Sequence, residues 1–169
     1  MTAESTNKKQ SPEALPIDEV LAEAIQCLRS SGALVLTAAP GAGKTTRLAP
    51  AILDAGLAKL ENGKEGQIVV LQPRRVAARA AALRISEERG TVLGEETGYI
   101  VRHERKASRN TRILICTEGV FIRRLQENPT IDDVAVVIFD EFHERSLDSD
   151  LALALVKQVK EALRPELKS

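Results

Sequence analysis

The chain has 169 residues, a length that suits one domain, and its hydrophobic (43%) and charged (28%) fractions are typical of a soluble globular protein. Its 24 basic and 24 acidic residues cancel, so any nucleic-acid binding must come from a local basic patch rather than from net charge. Trp is absent, and one Tyr and three Phe are too few for a broad aromatic platform that stacks on single strands.

The amino-terminal residues 1–14 are polar, and we predict a disordered tail there, followed by one domain over residues 15–169. No apolar stretch reaches the length of a membrane span, and the tail lacks the apolar core of a signal peptide. We therefore expect a cytoplasmic protein with no membrane partner. Cys27 and Cys116 are too few for a disulfide framework or a metal site, and their apolar neighbours predict buried, reduced thiols.

Strand patterns and helix patterns alternate along the domain. The helical patterns cover residues 18–31, 44–55, 75–88, 118–126 and 147–163. The apolar runs typical of buried strands cover residues 33–38, 68–71, 99–101, 112–116 and 134–139. The last run is the most apolar, so we expect it at the centre of the sheet, and residues 103–110 are predicted to form a charged loop. This order predicts an α/β fold with a mostly parallel sheet and helices on both faces.

The residues after the first predicted strand are typical of a phosphate-binding loop. Residues 38–46 read Ala-Ala-Pro-Gly-Ala-Gly-Lys-Thr-Thr, with Ala38 where the usual pattern begins with Gly. Small residues let backbone N–H groups point at phosphate oxygens, and the following helix presents its positive end to the same anion. Lys44 can bind the β- and γ-phosphates, and the Thr45 hydroxyl can ligate Mg²⁺. We predict binding of ATP, or another nucleoside triphosphate, with Mg²⁺ through Gly41, Ala42, Gly43, Lys44, Thr45 and Thr46.

An acidic pair follows the most apolar predicted strand. Asp140 and Glu141 come directly after Phe139, in a chain that already has a phosphate loop upstream. An Asp in that position can organise Mg²⁺, and the Glu beside it can position or deprotonate the attacking water. We predict Thr45 and Asp140 as metal ligands and Glu141 as a catalytic residue.

These residues resemble the motifs of a known family. Residues 140–143, Asp-Glu-Phe-His, are similar to the motif of DEAH-box RNA helicases, and Phe142 in place of Ala resembles the bacterial HrpB-type branch. Further segments resemble, in chain order, the family's first nucleic-acid motif, its Gly-Tyr-x-x-Arg segment and its Thr-x-Gly-x-x-x-Arg motif: residues 72–78, 98–102 and 117–123. The resemblance covers roughly residues 15–168 and implies a RecA-like fold, ATP hydrolysis and RNA as partner.

The resemblance also implies residue roles in RNA binding. By match to the family's motifs, Arg75, Arg102 and Thr117 contact the RNA backbone without regard to sequence, and Arg74 and Arg123 support them. Guanidinium suits this task because it forks onto phosphate oxygens.

Two further roles concern the nucleotide. Arg84 falls where the family places an arginine against the adenine face, and guanidinium stacks well on flat rings. His143 joins Lys44 and Glu141 in the expected catalytic set, because in the family it couples the γ-phosphate site to a second domain.

The family pattern continues with features that do not occur in residues 1–169. These are a strand with a Ser-Ala-Thr motif and a second RecA-like domain with arginine fingers. The resemblance therefore implies that the domain is C-terminally truncated, that the parent is an ATP-dependent helicase, and that this chain alone is nearly inactive, with only weak RNA binding. The alternative is a non-enzymatic nucleotide-binding or interaction module that keeps the fold and lacks the motor.

Overall fold

The computed structural model describes residues 14–39 and 41–169. The tail predicted over residues 1–14 lies outside the described residues, apart from Ala14, which is exposed and in no regular element. No helix in the described part of the chain combines the length and the apolar composition needed to cross a membrane.

The described residues form five α-helices and a five-stranded sheet. The helices are α1 (Leu21–Ser31), α2 (Lys44–Asp54), α3 (Arg75–Arg89), α4 (Glu118–Glu127) and α5 (Leu147–Ala162), and short 3₁₀ helices cover Pro16–Glu19 and Phe142–Glu144. The strands are β1 (Gln67–Leu71), β2 (Thr97–Val101), β3 (Glu104–Lys106), β4 (Ile113–Cys116) and β5 (Val134–Phe139). Their order in the sheet is β3-β2-β4-β1-β5, and all neighbours are parallel except β2 and β3. The predicted α/β fold, with a mostly parallel sheet, is confirmed.

The sheet has a separate apolar core on each face. Side chains alternate along β1, so Ile68 and Val70 face one core while Val69 and Leu71 face the other. Helices α1, α2 and α3 cover the first core, and α4 and α5 cover the second, where Phe121 is completely buried. Helices on both faces are the arrangement that continuous apolar strands require, because such strands have no side for water.

Local signals fix several helix ends. The Ser146 hydroxyl accepts a hydrogen bond from the Ser149 N–H at 3.0 Å and caps the first turn of α5. Helix α1 ends at Gly32, whose φ of 68° lies in the left-handed region where a Cβ would be strained.

Three sequence expectations about the sheet were wrong. Residues 103–110 are not all loop, because Glu104–Lys106 pairs antiparallel with β2 and forms a hairpin. The consecutive charged residues gave no apolar pattern from which this strand could be predicted. Strand β5 is not central but lies at the end of the strand order. Its apolar side chains are buried because helices cover both of its faces, and its outer edge needs no full strand: among the described residues, only an isolated parallel bridge between Val136 and Lys168 pairs there.

The third error concerns residues 33–38, which carry no assigned strand although the run is apolar. The Leu34 N–H donates to the Ser169 carbonyl at 3.0 Å, and the Ser169 N–H donates to the Gly32 carbonyl at 3.3 Å. On the other side, the Val137 N–H donates to the Lys168 carbonyl at 2.9 Å. Residues 168 and 169 therefore lie between β5 and this segment, and two paired residues are too few for a ladder. Val35 is 92% exposed.

The prediction for the cysteines was half right. Cys116 is buried in β4, but Cys27 is exposed on α1, where its sulfur lies 3.9 Å from the Ser31 hydroxyl. An apolar neighbourhood in sequence does not decide which side of a helix faces the core. Burial raises the pKa of the Cys116 thiol to about 12.

We expect the two thiols to react at very different rates. At pH 8, dithionitrobenzoate should label Cys27 quickly, because it is exposed, and leave Cys116 unmodified, because a buried thiol with a pKa of about 12 is almost never a thiolate. Both should react in 6 M guanidinium. Cys27→Ser should abolish the fast phase, whereas two fast equivalents in native buffer would contradict the fold.

Candidate functional site

Polar residues follow four neighbouring strands at one edge of the sheet. In sheet order, Arg102 follows β2, Thr117 follows β4, Gln72 follows β1 and Asp140 follows β5. These strands are parallel, so their carboxyl ends meet at the same edge, with about 4.8 Å between neighbours. Such an edge is where open α/β sheets bind ligands.

The phosphate-binding loop leads into α2 beside this edge. Gly43 stands before the first helical residue with a φ of 90°, which a residue with a side chain rarely adopts. A Cβ on Gly43 would also collide with the side chains of Leu15 and Ile17, which cover the loop. The Ile17 N–H donates to the Ala42 carbonyl at 3.2 Å and holds this cover in place.

Lys44 folds back over the loop. Its Nζ donates to the carbonyl oxygens of Ala38, at 2.6 Å, and Ala39, at 3.1 Å. The ammonium group is thus held at the mouth of the loop by neutral acceptors, which a phosphate oxygen can replace with a stronger, charge-assisted partner.

Asp140 is the point where the phosphate loop meets the sheet. Its Oδ2 accepts hydrogen bonds from the Thr45 hydroxyl and from the Gln72 Nε2, the latter at 2.8 Å. The residue is 8% exposed, and this burial raises the pKa of Asp140, with the Glu141 carboxylate adding to the rise. The Thr45 hydrogen bond and the charge of Lys44 act in the opposite direction and favour the carboxylate.

Thr45 and Asp140 suit a magnesium ion. A hydroxyl and a carboxylate oxygen are the hard donors that Mg²⁺ prefers, and here both face the same point beside the loop. A divalent cation would also neutralise the carboxylate that burial otherwise disfavours. The donor set therefore fits the ion that the sequence predicted.

The residues after Asp140 form an exposed acidic cluster. Glu141 has a φ of 51°, in the left-handed region, and the Nδ1 of His143 lies 3.4 Å from its Oε2. The ligand atoms of Glu141, His143 and Glu144, here called the 141–144 cluster, lie within 4.8 Å of one another, a spacing that exposed acidic groups often show without an ion. His143 is 73% exposed, so it is available to a partner but not fixed by packing.

Glu144 binds the segment that follows β1. Its carboxylate accepts hydrogen bonds from the Nε of Arg74, at 3.2 Å, and from the Nη2 of the same side chain. Arg74 was predicted to support RNA binding. In the structure its side chain connects residues 72–75 to the 141–144 cluster. Arg75 is exposed next to it, and Arg123 lies on α4, paired with Glu127 at 3.2 Å.

An open cleft runs beside the phosphate loop. Its lining contains the loop and its helix start together with residues from other elements: Leu15, Gly41, Ala42, Gly43, Lys44, Thr45, Thr46, Arg84 and Glu141. The sequence-predicted nucleotide residues are therefore brought together in one place. The predicted RNA residues Arg102 and Thr117 lie along the row of strand ends instead.

Sequence reasoning did not assign Gln72, Leu15 or Glu144 to the site. Gln72 could have been found, because it is the first polar residue after a buried strand, as Asp140 is. Leu15 and Glu144 had no such signal, since their roles depend on contacts with Gly43 and Arg74, which are distant in sequence.

Comparisons with known proteins agree on one family. A family model described as DEAD/DEAH box helicase matches residues 18–166. The chain is 41% identical over 155 residues to the ATP-dependent RNA helicase HrpB of Escherichia coli, covering 92% of this chain and 18% of that protein. It is 38% identical over 156 residues to the DExH-box ATP-dependent RNA helicase DExH1 of Arabidopsis thaliana, covering 92% of this chain and 16% of that protein.

Solved structures agree with these relatives. The crystal structure of the Escherichia coli DEAH/RHA helicase HrpB superposes with a TM-score of 0.82 at 42% identity, covering 91% of this chain and 19% of that one. A second, titled as the E. coli DExH-box NTPase HrpB, gives a TM-score of 0.83 at 41% identity, covering 92% of this chain and 19% of that one. This chain thus spans about a fifth of the length of these relatives.

The hydrogen bond from Gln72 to Asp140 should stabilise the nucleotide-free fold. Gln72→Leu removes a buried donor to a carboxylate, so we expect a loss of about 1.5–3 kcal/mol in the free energy of unfolding. Urea denaturation at pH 7 without Mg²⁺ measures it. Gln126→Leu, at an exposed position of α4, is the control and should change little. An equal loss in an Asp140→Asn background would show that the two residues are not coupled.

Proposed function

The chain belongs to the DEAD/DEAH box helicase family, and we propose on that premise that it is the ATP-binding motor domain of an ATP-dependent RNA helicase. The observation that supports this most is the contact of Thr45 and Gln72 with the Asp140 carboxylate. It brings the phosphate loop, the end of β5 and the segment before α3 to one point. A nucleotide and metal ion bound there would contact the loop directly and would be linked to the segment before α3 through Asp140.

Different side chains would bind the phosphates, hold the metal ion and orient the attacking water. Lys44 leaves the carbonyls of Ala38 and Ala39 and binds the β- and γ-phosphates. Thr45 and Asp140 would hold Mg²⁺, which would supply positive charge beside the phosphates. Glu141 would orient the attacking water and accept its proton, and His143, 3.4 Å from the Glu141 carboxylate, would help to orient that carboxylate.

RNA would lie along the row of strand ends. Arg102 and Thr117 directly follow β2 and β4, and Arg75 begins α3 four residues after β1, so all three lie at the carboxyl ends of adjacent strands, where one phosphate backbone would pass them. These contacts carry no base recognition, and the chain has no net charge, so we propose weak binding without sequence preference.

The pair of Arg74 and Glu144 would connect the two activities. Arg74 belongs to the same segment as Gln72 and Arg75, and Glu144 follows the acidic pair in the chain. If RNA binding moves this segment, the positions of Asp140 and Glu141 would therefore change as well. That route is short, because Gln72 already touches the Asp140 carboxylate.

Lys44→Ala should weaken Mg²⁺–ATP binding by about 2 kcal/mol or more, roughly thirtyfold, because it removes a charge-assisted contact to phosphate. Isothermal titration calorimetry measures the affinity. Lys64→Ala removes the same charge from an exposed turn and serves as the control. Equal ATP affinity in wild type and Lys44→Ala would refute nucleotide binding at this loop.

Arg75→Ala should lower affinity for RNA of any sequence and reduce the slope of log K against log salt by about one, because one phosphate contact is lost. We expect wild-type dissociation constants of about 10⁻⁴ to 10⁻⁶ M, measured by fluorescence anisotropy with two unrelated oligonucleotides. Arg29→Ala, on α1 and outside the row, is the control for net charge. An unchanged salt slope in Arg75→Ala would remove that residue from the interface.

A further inference from the structure

We propose that a chain of ion pairs, Asp18–Arg47–Glu88–Arg84, fixes the orientation of the Arg84 guanidinium at the nucleotide cleft. The inference rests on the proposed function, because it assumes that a nucleoside triphosphate occupies this cleft. It makes Glu88 and Arg47 positioning residues for base binding. We call these four residues the 18–47–88–84 relay.

The relay begins at the cleft with Arg84. This residue lines the cleft together with the phosphate loop, and its Nε donates to the Glu88 Oε1 at 2.9 Å, one turn further along α3. An exposed ion pair at this helical spacing contributes only a few tenths of a kcal/mol. Such a pair alone would hold the long arginine side chain loosely, so the orientation of Arg84 depends on what holds Glu88.

Arg47 holds Glu88 from a different helix. Its Nη1 lies 3.4 Å from the second carboxylate oxygen of Glu88, and the two side chains are only 14% and 19% exposed. The pair of Arg123 and Glu127 has the same spacing as Arg84 and Glu88, but its side chains are 79% and 68% exposed. Water screens a half-buried pair less, so Glu88 is fixed in a way that Glu127 is not.

Arg47 also joins the relay to the phosphate loop. It lies in the first turn of α2, three residues after Lys44, so a shift of the loop moves the anchor of Glu88. The Arg47 Nε is 3.8 Å from the Asp18 Oδ1, while the Asp18 Oδ2 accepts from the Leu15 N–H at 2.8 Å. The relay therefore connects Leu15 and Arg84, which both line the cleft.

The chemistry of these ends defines the ligand group. Arg84 offers a flat cation that stacks on an aromatic ring, and Leu15 offers an apolar surface. A guanidinium stacked on the ring has its N–H donors in a plane parallel to the base and does not reach the hydrogen-bonding edge, and the Leu15 side chain has no polar group. The subsite therefore suits the face of a purine and discriminates weakly between purines.

Two probes separate base positioning from phosphate binding. Mg²⁺–ATP has both a base and phosphates, whereas Mg²⁺–tripolyphosphate has phosphates alone. Removal of the negative charge of Glu88 would by itself strengthen binding of both polyanions. Loss of Arg84 positioning would instead weaken the binding of ATP alone. The two explanations for Glu88 therefore predict changes of opposite sign in ATP affinity.

The experiment is calorimetric titration of the full chain with each probe, in wild type, Glu88→Gln, Arg47→Gln and Glu127→Gln. We expect Glu88→Gln to weaken ATP binding about three- to tenfold and to leave tripolyphosphate affinity unchanged or higher. Arg47→Gln also removes a positive charge near the phosphate loop, which weakens both polyanions, so we expect it to weaken ATP about three- to tenfold more than it weakens tripolyphosphate. Glu127→Gln removes the same negative charge from an ion pair with the same spacing, and it should not change the affinity for either probe. Thermal melting checks that each variant is folded, and Arg47→Gln provides the test if Glu88→Gln is not.

Equal weakening of ATP and tripolyphosphate in the relay variants would mean that they act through the phosphate loop and would overturn the proposal. Unchanged or tighter ATP binding in Glu88→Gln and Arg47→Gln would also overturn it. A wild-type chain that binds neither probe would instead refute the proposed function, and the relay with it.

Discussion

The buried carboxylate of Asp140 is the constraint on which the site depends. A carboxylate with 8% exposure is costly unless donors or a cation surround it. Here the donors come from Thr45 in the phosphate loop and Gln72 at the end of β1. One charged group thereby fixes the position of three separate segments, and the same group is the one that a divalent cation would bind.

The sheet explains why these segments meet. Four neighbouring strands are parallel, so the residue after each strand lies at one edge, in the order β2-β4-β1-β5. The predicted RNA residues follow the first three strands, and the predicted metal ligand follows the fourth. The proposed RNA and metal sites are thus neighbours at one edge of the sheet, where Gln72 contacts Asp140 and Arg74 contacts Glu144.

The sequence was informative where chemistry depends on adjacent residues. Lys44, Thr45 and Asp140 could be predicted because a phosphate loop and an acidic strand end have local patterns. It was misleading about edges: β5 lies at the end of the strand order, and residues 33–38 form no strand, because pairing depends on which backbone lies alongside. The ion pairs of Arg74 with Glu144 and of Arg47 with Glu88 could not be predicted, since each joins residues far apart in the chain.

In the proposed function, a metal ion and a nucleotide meet at Thr45 and Asp140. The most direct measurement is a crystal structure of the chain with Mn²⁺ and a non-hydrolysable ATP analogue, using the anomalous signal of manganese. We expect one strong anomalous peak, about 2.1 Å from the Thr45 hydroxyl, with the Asp140 carboxylate bound to it directly or through one water. A peak on the 141–144 cluster instead, or a triphosphate lying away from Lys44, would contradict it.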